Sequence, residues 1–521
     1  MTLLSPDSPV SPLSPDALIV EEEARREQED INAKVAGASM ILAIGGIASR
    51  VLGLIREISM SFLFGASPQV SAFLVATAVP SAINDLLIAG HVNGAIIPVL
   101  SEIVTLKGRD ELWRVLSILM SLIIVVLALI VLLMEIFAPQ IIALTTANGY
   151  TPAMQSLAID MLRITAPALL FMGLFALFSA TLLALKSFTL PAFAGMVGNG
   201  TIVLVTLLFV PARVLTISLT LSPLMPYTYA RPPHAITVVA VSWLLAGVMQ
   251  MLLQLSGLKL AHLRFVLNWR HPVLRRIALL YAPVMFSLIV DTLIIRPVSY
   301  NLASQTGPGS IAYMNWATTL LQFPQGLIAT AISLAVLPTL ARQALGIDHN
   351  RAFKETFGLG LRLTITLIIP ATVGLFVLAH PIIALLFERG AFTPVDTNIT
   401  GLALRLYLIG LPFVAIDLLL VYAFYARKDT VTPALVGIVS FVIYMGVALA
   451  LMPRYGLFSL MIADSVKQIT HAVICGVWLR ARLNGFARQR LIATAFKSTA
   501  AGLVMGVVGT LLLTLLTRVL G

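Results

Sequence analysis

Charged residues are scarce in this chain. Asp, Glu, Lys and Arg make up 11% of its 521 residues, where a soluble domain carries roughly a quarter. So few ionic groups cannot clothe a water-facing surface, which excludes an ordinary soluble enzyme. Cysteine is nearly absent too, and the lone Cys475 rules out disulfides within the chain. The histidines (His91, His234, His262, His271, His349, His380 and His471) show neither HxxxH nor HExxH spacing, so no metal centre and no cofactor are expected. No nucleophile–base constellation is visible and no connection is long enough for a catalytic domain, so the chain does not read as an enzyme. A basic start followed by an apolar core, the mark of a secretory leader, is also missing.

What remains is apolar: 59% of residues are hydrophobic and the mean hydropathy is +0.98. The excess must face lipid. About thirteen segments are long enough to span a bilayer, which needs ~20 residues. They fall at roughly 36–62, 70–100, 113–138, 157–186, 191–211, 236–258, 277–303, 309–341, 357–386, 399–426, 431–452, 456–479 and 494–517. This predicts an all-α polytopic membrane protein.

The basic residues orient it. Arg25, Arg26 and Lys34 precede the first segment, and Lys107, Arg109 and Arg114 surround the second connection. Further clusters run Lys259, Arg264, Arg270, Arg275, Arg276; then Arg342, Arg351, Lys354, Arg362; then Arg427, Lys428; and finally Arg480, Arg482, Arg488, Arg490, Lys497. The alternate connections hold only Arg213, Arg231, Arg389 and Arg454, with Arg518 near the end. The richer side is expected to be cytoplasmic, the N-terminus with it. This pattern also accounts for the net charge of +11. Cations scattered over short loops form no surface for nucleic acid, so that partner is excluded.

Residues 1–34 differ from the rest, being Pro/Ser-rich and then a run of charges, and read as a disordered cytoplasmic tail that can turn helical near residue 20. A short internal echo follows. Pro80 precedes Ile97-Pro98-Val99-Leu100 in the second segment, as Pro324 precedes Leu337-Pro338-Thr339-Leu340 in the eighth. Two parallel six-helix halves, 35–258 and 259–480, would place these segments in equivalent positions. Residues 481–521 form a basic linker and one extra helix.

An ionisable group in hydrocarbon costs at least ~2.5–3.5 kcal/mol, so each one inside a segment calls for a reason. Asp160/Arg163 and Asp464/Lys467 sit three apart on one helical face and read as local ion pairs. Arg405, near a helix end, can snorkel. The remaining candidates for a polar cavity are Arg50, Arg56 and Glu57 in the first segment, Asn84, Asp85 and Asn93 in the second, and Arg296 beside Pro297 in the seventh. Arg56 and Glu57, as neighbours on a helix, are expected to point apart. Arginine donates in a planar, permanently charged fork that engages two oxygens, which suits a diphosphate.

Several runs now stand together: Ser49-Arg50-Val51-Leu52-Gly53-Leu54-Ile55-Arg56-Glu57 with Phe64-Gly65-Ala66; Leu190-Pro191-Ala192-Phe193; Phe323-Pro324-Gln325-Gly326; Phe387-Glu388-Arg389-Gly390-Ala391-Phe392-Thr393; and Phe424-Tyr425-Ala426-Arg427-Lys428-Asp429. In this order, over roughly 36–485, the chain resembles the MurJ/MviN family of lipid II flippases. The resemblance implies two six-helix lobes in a V around a central cavity, within the multidrug/oligosaccharidyl-lipid/polysaccharide exporter superfamily. It implies a plasma-membrane flippase that moves an undecaprenyl-pyrophosphate-linked cell-wall precursor to the outer leaflet by alternating access, alongside membrane lipids and cell-wall synthesis proteins. Arg50 and Arg56 match the family's cationic cavity residues, and Glu57 an acidic one.

The departures concern charge. Where the family has basic residues mid-way along the second helix, this chain reads Asn84-Asp85; where it has an Asp-Arg pair in the eighth, Thr318-Thr319 stands. Members usually have fourteen helices. Arg296 is expected to replace part of the lost positive charge. Asp291 and Asp464, with Lys467, could serve an ion site or a structural pair. The alternatives are a flippase for another lipid-linked polysaccharide, a cation-coupled drug antiporter using Asp85 and Asp291, and a non-transporting scaffold for cell-wall synthesis.

Overall fold

The computed structural model describes residues 15–87, 91–146, 149–210, 233–258, 261–277, 296–344, 349–483, 485 and 490–520. The first helix, α1 (Pro15–Phe64), starts inside the N-terminal tail, a few residues before the onset expected near residue 20. Ala17, Glu21 to Glu23, Ala24, Arg25 and Arg26 are strong helix formers, and their propensity carries the helix outward from the apolar part. Next come α2 (Pro68–Leu87), α3 (His91–Ile136), α4 (Ala138–Thr146), α5 (Pro152–Thr165), α6 (Ala168–Ala184), α7 (Thr189–Phe209) and α8 (Thr237–Gly257). α3 joins the end of the expected second segment to the third across a kink at Gly108, whose φ of 85° suits only glycine well.

The second half contains α9 (Arg296–Gln305), α10 (Ser310–Pro324), a π-turn at Gln325–Thr330, α11 (Ala331–Gln343), α12 (His349–Val377) and α13 (Ala379–Phe387). α14 (Pro394–Leu408) and α15 (Leu411–Ala426) form one span bent by 43°. α16 (Val431–Tyr455), α17 (Phe458–Arg482) and α18 (Leu491–Leu520) complete the chain. Among the described residues nine helices are long and apolar enough to cross a membrane, ten counting the bent pair. Thirteen were expected; the seventh of those, 277–303, falls largely on 278–295, outside the described residues, as does most of the Pro-rich connection near 212–235.

Three apolar clusters give the shape. One runs through both halves at the end away from the basic connections, joining Met60, Leu63 and Val70 to Trp316, Phe387 and Leu408. A second, around Val99, Leu116 and Phe178, belongs to the first half alone. A third, around Phe353, Phe424 and Leu479, belongs to the second half alone. The lobes therefore share a core at one end and part at the basic end, as a V does. Between the halves in sequence, the chain at 261–268 lies along α3 of the first half, with the Arg264 and Val266 amides donating to Ser117 and Ser121 hydroxyls at 3.1 and 2.8 Å. Arg276 then grips Glu102 with both terminal nitrogens, at 3.0 and 2.7 Å.

On the basic face, Asp429 accepts from the Thr432 amide at 2.9 Å and hydroxyl at 2.7 Å and pairs with Arg482. Desolvation pushes this carboxyl up, but the hydrogen bonds from Thr432 and Arg482 outweigh it and hold it below the ordinary aspartate range.

The shared end is sealed by the Phe387–Thr393 run. Trp316 packs edge-on to Phe392 at 5.1 Å and beside Phe387 at 6.1 Å. The Ala391 amide donates to the Phe62 carbonyl of α1 at 2.9 Å, binding lobe to lobe. Gly390 has φ +65° and its Cα faces that same carbonyl, so an added Cβ would meet it directly. Left-handed backbone costs a β-carbon-bearing residue about 1–2 kcal/mol before any clash. Gly390→Val is expected to loosen the seal by at least about tenfold. Labelling of Ala66→Cys by a membrane-impermeant thiol reagent measures it.

Candidate functional site

α1 is the inner wall of the V. Toward the seal it carries Arg56 and Glu57, and one and a half turns nearer the basic end, Arg50. Both arginines line one cavity of about 620 Å³ between the lobes, with Asn199 of α7, Thr319 and Gln322 of α10, and Gly326 of the π-turn. A second, deeper chamber of about 260 Å³ shares Arg56 and Glu57 as its wall and is lined by Phe73, Thr77, Trp243, Tyr300 and Asn315. The site is thus two chambers in series, divided by an ion pair.

That pair corrects a sequence expectation. Arg56 and Glu57 do not point apart: the Arg56 Nη2 and Nε donate to Glu57 Oε1 at 2.6 and 3.2 Å. The arginine stem is long enough to fold back along the helix to its neighbour. Its Nη1 donates to Asn199 Oδ1 at 2.9 Å, while the Asn199 amide donates to the Ser49 carbonyl at 3.0 Å. Glu57 is 5% exposed. Its second oxygen accepts from Asn315 Nδ2 of the opposite lobe at 2.9 Å. A carboxylate removed from water needs such partners on both oxygens.

Arg50 is placed differently. It is exposed to the cavity, and among the described residues no carboxylate pairs with it. Its guanidinium lies directly against Gly326, where a Cβ would displace it. The π-turn after Pro324 brings that glycine forward; π-turns recur at functional sites because they re-aim the backbone. With Arg56 matched by Glu57, Arg50 supplies the cavity's net positive charge.

Asn84 and Asp85 are half-buried near the end of α2 and are not among the residues lining either chamber. The side chains of Asn93 and Arg296, and the whole of Asp291, lie outside the described residues. Lys467 Nζ sits 2.7 Å from Asp464 Oδ1 and 5.6 Å from the centre of the Tyr444 ring. Arg163 turns to Glu135 of α3 at 4.0 Å rather than to Asp160, because two packed helices bring that carboxylate across. Arg405 donates to the Phe376 carbonyl at 3.1 Å.

Sequence reasoning passed over Asn199 and Asn315, and singled out Gly326 only as part of a motif, not as the residue that meets Arg50. Asparagine inside an apolar helix is itself a signal, since its amide must find partners. It also passed over a cluster in the second lobe, where Asp417, His471 and Cys475 come together; HxxxC spacing on α17 was the available sign.

A family model described as "Lipid II flippase MurJ" matches residues 60–520, beginning just after the Arg50–Glu57 stretch. A "Lipid II flippase MurJ" from Burkholderia cenocepacia is 29% identical over 454 residues, covering 85% of this chain and 83% of that one. A "Probable lipid II flippase MurJ" from Bdellovibrio bacteriovorus is 30% identical over 496 residues, covering 93% and 89%. Among solved structures, "Lipid II flippase MurJ, inward closed conformation" superposes with a TM-score of 0.73 at 24% identity, over 90% of this chain and 92% of the other. An inward-facing multidrug transporter of the MATE family gives 0.65 at 13% identity, over 87% and 99%. The two-lobed helical fold is the one these structures share, and the chain belongs to the MurJ family of lipid II flippases.

Proposed function

We propose that this chain carries lipid II, or a close relative with the same polyprenyl-diphosphate head, from the inner to the outer leaflet of the bacterial plasma membrane. The basic face, with the N-terminus, is cytoplasmic. The open end of the V then admits the headgroup from inside, and the Phe387–Thr393 seal faces out.

The observation that supports this most directly is the unpaired Arg50 in a cavity spanned by both lobes. A diphosphate bears several oxygens that accept from a guanidinium fork, and water exclusion strengthens each such bond. Arg56 stands ready as the second donor once the phosphate competes with Glu57 for it. Beyond the pair, the aromatic and hydroxyl surfaces of the inner chamber (Phe73, Trp243, Tyr300, Thr77) suit a sugar, whose faces are apolar and whose rim is polar. The prenyl tail stays in lipid. Alternating access follows if binding trades the Glu57–Asn315 bond for contacts to the headgroup, releasing the seal end. A cation antiporter is less well served, because the cavity carboxylate already holds Arg56 and Asn315.

The test is replacement of a host flippase. A strain depleted of its own protein should grow when supplied with this chain, and lipid II on its outer leaflet should return to normal. Failure of a well-expressed chain to restore either would overturn the proposal.

A further inference from the structure

The second lobe contains a polar cluster that the transport path does not use. Asp417 lies on α15, and His471 and Cys475 share one face of α17 at i and i+4. Their Oδ1, Nδ1 and Sγ atoms all fall within 4.8 Å of one another. The imidazole is oriented from behind: Nε2 lies 3.2 Å from the Pro433 carbonyl in the first turn of α16, to which it donates. With Nε2 committed as a donor, Nδ1 faces Asp417 Oδ1 at 2.7 Å and Cys475 Sγ at 3.8 Å. Nitrogen and carboxylate oxygen at that distance require a proton or a metal ion between them.

We propose that Asp417, His471 and Cys475 form a site for a borderline-soft divalent cation, with Zn²⁺ the best match. The donor set is one imidazole nitrogen, one carboxylate and one thiolate, which is the N/O/S mixture such ions take, with a fourth position open. Zinc–ligand bonds of about 2.0–2.3 Å require ligand atoms roughly 3–3.7 Å apart, so small rotamer changes bring the three atoms into place. A ligating histidine characteristically gives its other N–H to a backbone carbonyl, as here to Pro433. Charge also fits. Two anionic ligands cancel the charge of a divalent ion, leaving a neutral site inside a membrane-embedded lobe, where a net charge would be costly.

Without the ion, one proton is shared between Nδ1 and the Asp417 carboxylate and a second sits on the Cys475 sulfur. The ion takes up the Nδ1 lone pair, the carboxylate and the thiolate, and two protons leave: the one shared between Nδ1 and Asp417, and the one on sulfur. The charge is +2 on both sides. Asp417 and His471 retain side-chain exposure of 15% each, which gives the ion a way in, while Cys475 is buried in the core that joins α15 and α17. Binding would brace those two helices against each other.

The test uses tag-free full-length protein in detergent. Cd²⁺ should give a saturable one-to-one thiolate-to-metal absorption band in the near ultraviolet. Zn²⁺ should compete for it and release two protons per ion, counted by calorimetry in buffers of different ionisation enthalpy. Cys475→Ser should abolish the band, and Asp417→Asn should weaken Zn²⁺ binding by at least about tenfold. A wild-type chain that shows no saturable band, or a Cys475→Ser variant that keeps it, overturns the site. If Cys475→Ser fails to fold, the wild type decides: Cd²⁺ uptake without the thiolate band, or Zn²⁺ uptake with no proton released, rules out a thiolate ligand.

Discussion

Arg50→Ala should abolish rescue of a flippase-depleted strain while leaving the protein folded and in the membrane. The guanidinium is exposed to the cavity and has no carboxylate among the described residues, so no internal ion pair is lost with it. What is lost is its grip on the diphosphate. A charge-assisted hydrogen bond is worth roughly 1.5–3 kcal/mol, and a fork makes two, so transport should fall by at least about a hundredfold. Arg50→Lys keeps the charge but not the fork and should recover only part of the rate. Gly326→Val gives an independent check, because it keeps the arginine and pushes its guanidinium out of place. Growth rate, lipid II on the outer leaflet and membrane abundance together measure the effect. Normal growth with alanine at 50 and valine at 326 would remove Arg50 from the headgroup site.

Much of this was legible in the residue order. Alternating basic clusters and long apolar runs imply membrane helices, and Arg50 with Arg56 implies a polar hollow, because both are intelligible from local cost alone: charge in lipid needs a reason. The partners of those charges were not legible. Asn199 lies 143 positions from Arg56 and Asn315 lies 258 from Glu57, and no spacing rule reaches so far. The pairing of Arg56 with Glu57 failed for the opposite reason: the helical rule concerns Cβ directions, and a long arginine can turn back on its own helix. The onset of helix in the tail, expected near residue 20, lies at Pro15, because the run from Ala17 to Arg26 is made largely of strong helix formers. The Asp417–His471–Cys475 cluster needed α15 and α17 to pack before it existed.

Glu57 is where headgroup binding and lobe position meet. Its Oε1 holds Arg56 of its own helix at 2.6 Å, and its Oε2 holds Asn315 of the other lobe at 2.9 Å. A phosphate reaching Arg56 from the outer chamber competes for the first contact and frees the carboxylate to reorient, which weakens the second. Removing the carboxylate should therefore imitate part of the substrate's effect. Glu57→Ala and Asn315→Ala are each expected to raise the population with an open seal. A partly buried pair of this kind is worth less than the 3–5 kcal/mol of a fully buried one, because a third of the Arg56 side chain is exposed. A loss of about 1–2 kcal/mol shifts the balance roughly 5–30-fold. Impermeant-thiol labelling at Ala66→Cys, measured against the parent chain with its buried Cys475, reads this shift in the absence of substrate. The double variant should shift it no further than the larger single change, since both remove the same bond. Fully additive shifts would mean that the two residues act separately, and unchanged labelling in both single variants would leave the seal to the Trp316–Phe387–Phe392 packing and the Ala391–Phe62 bond alone.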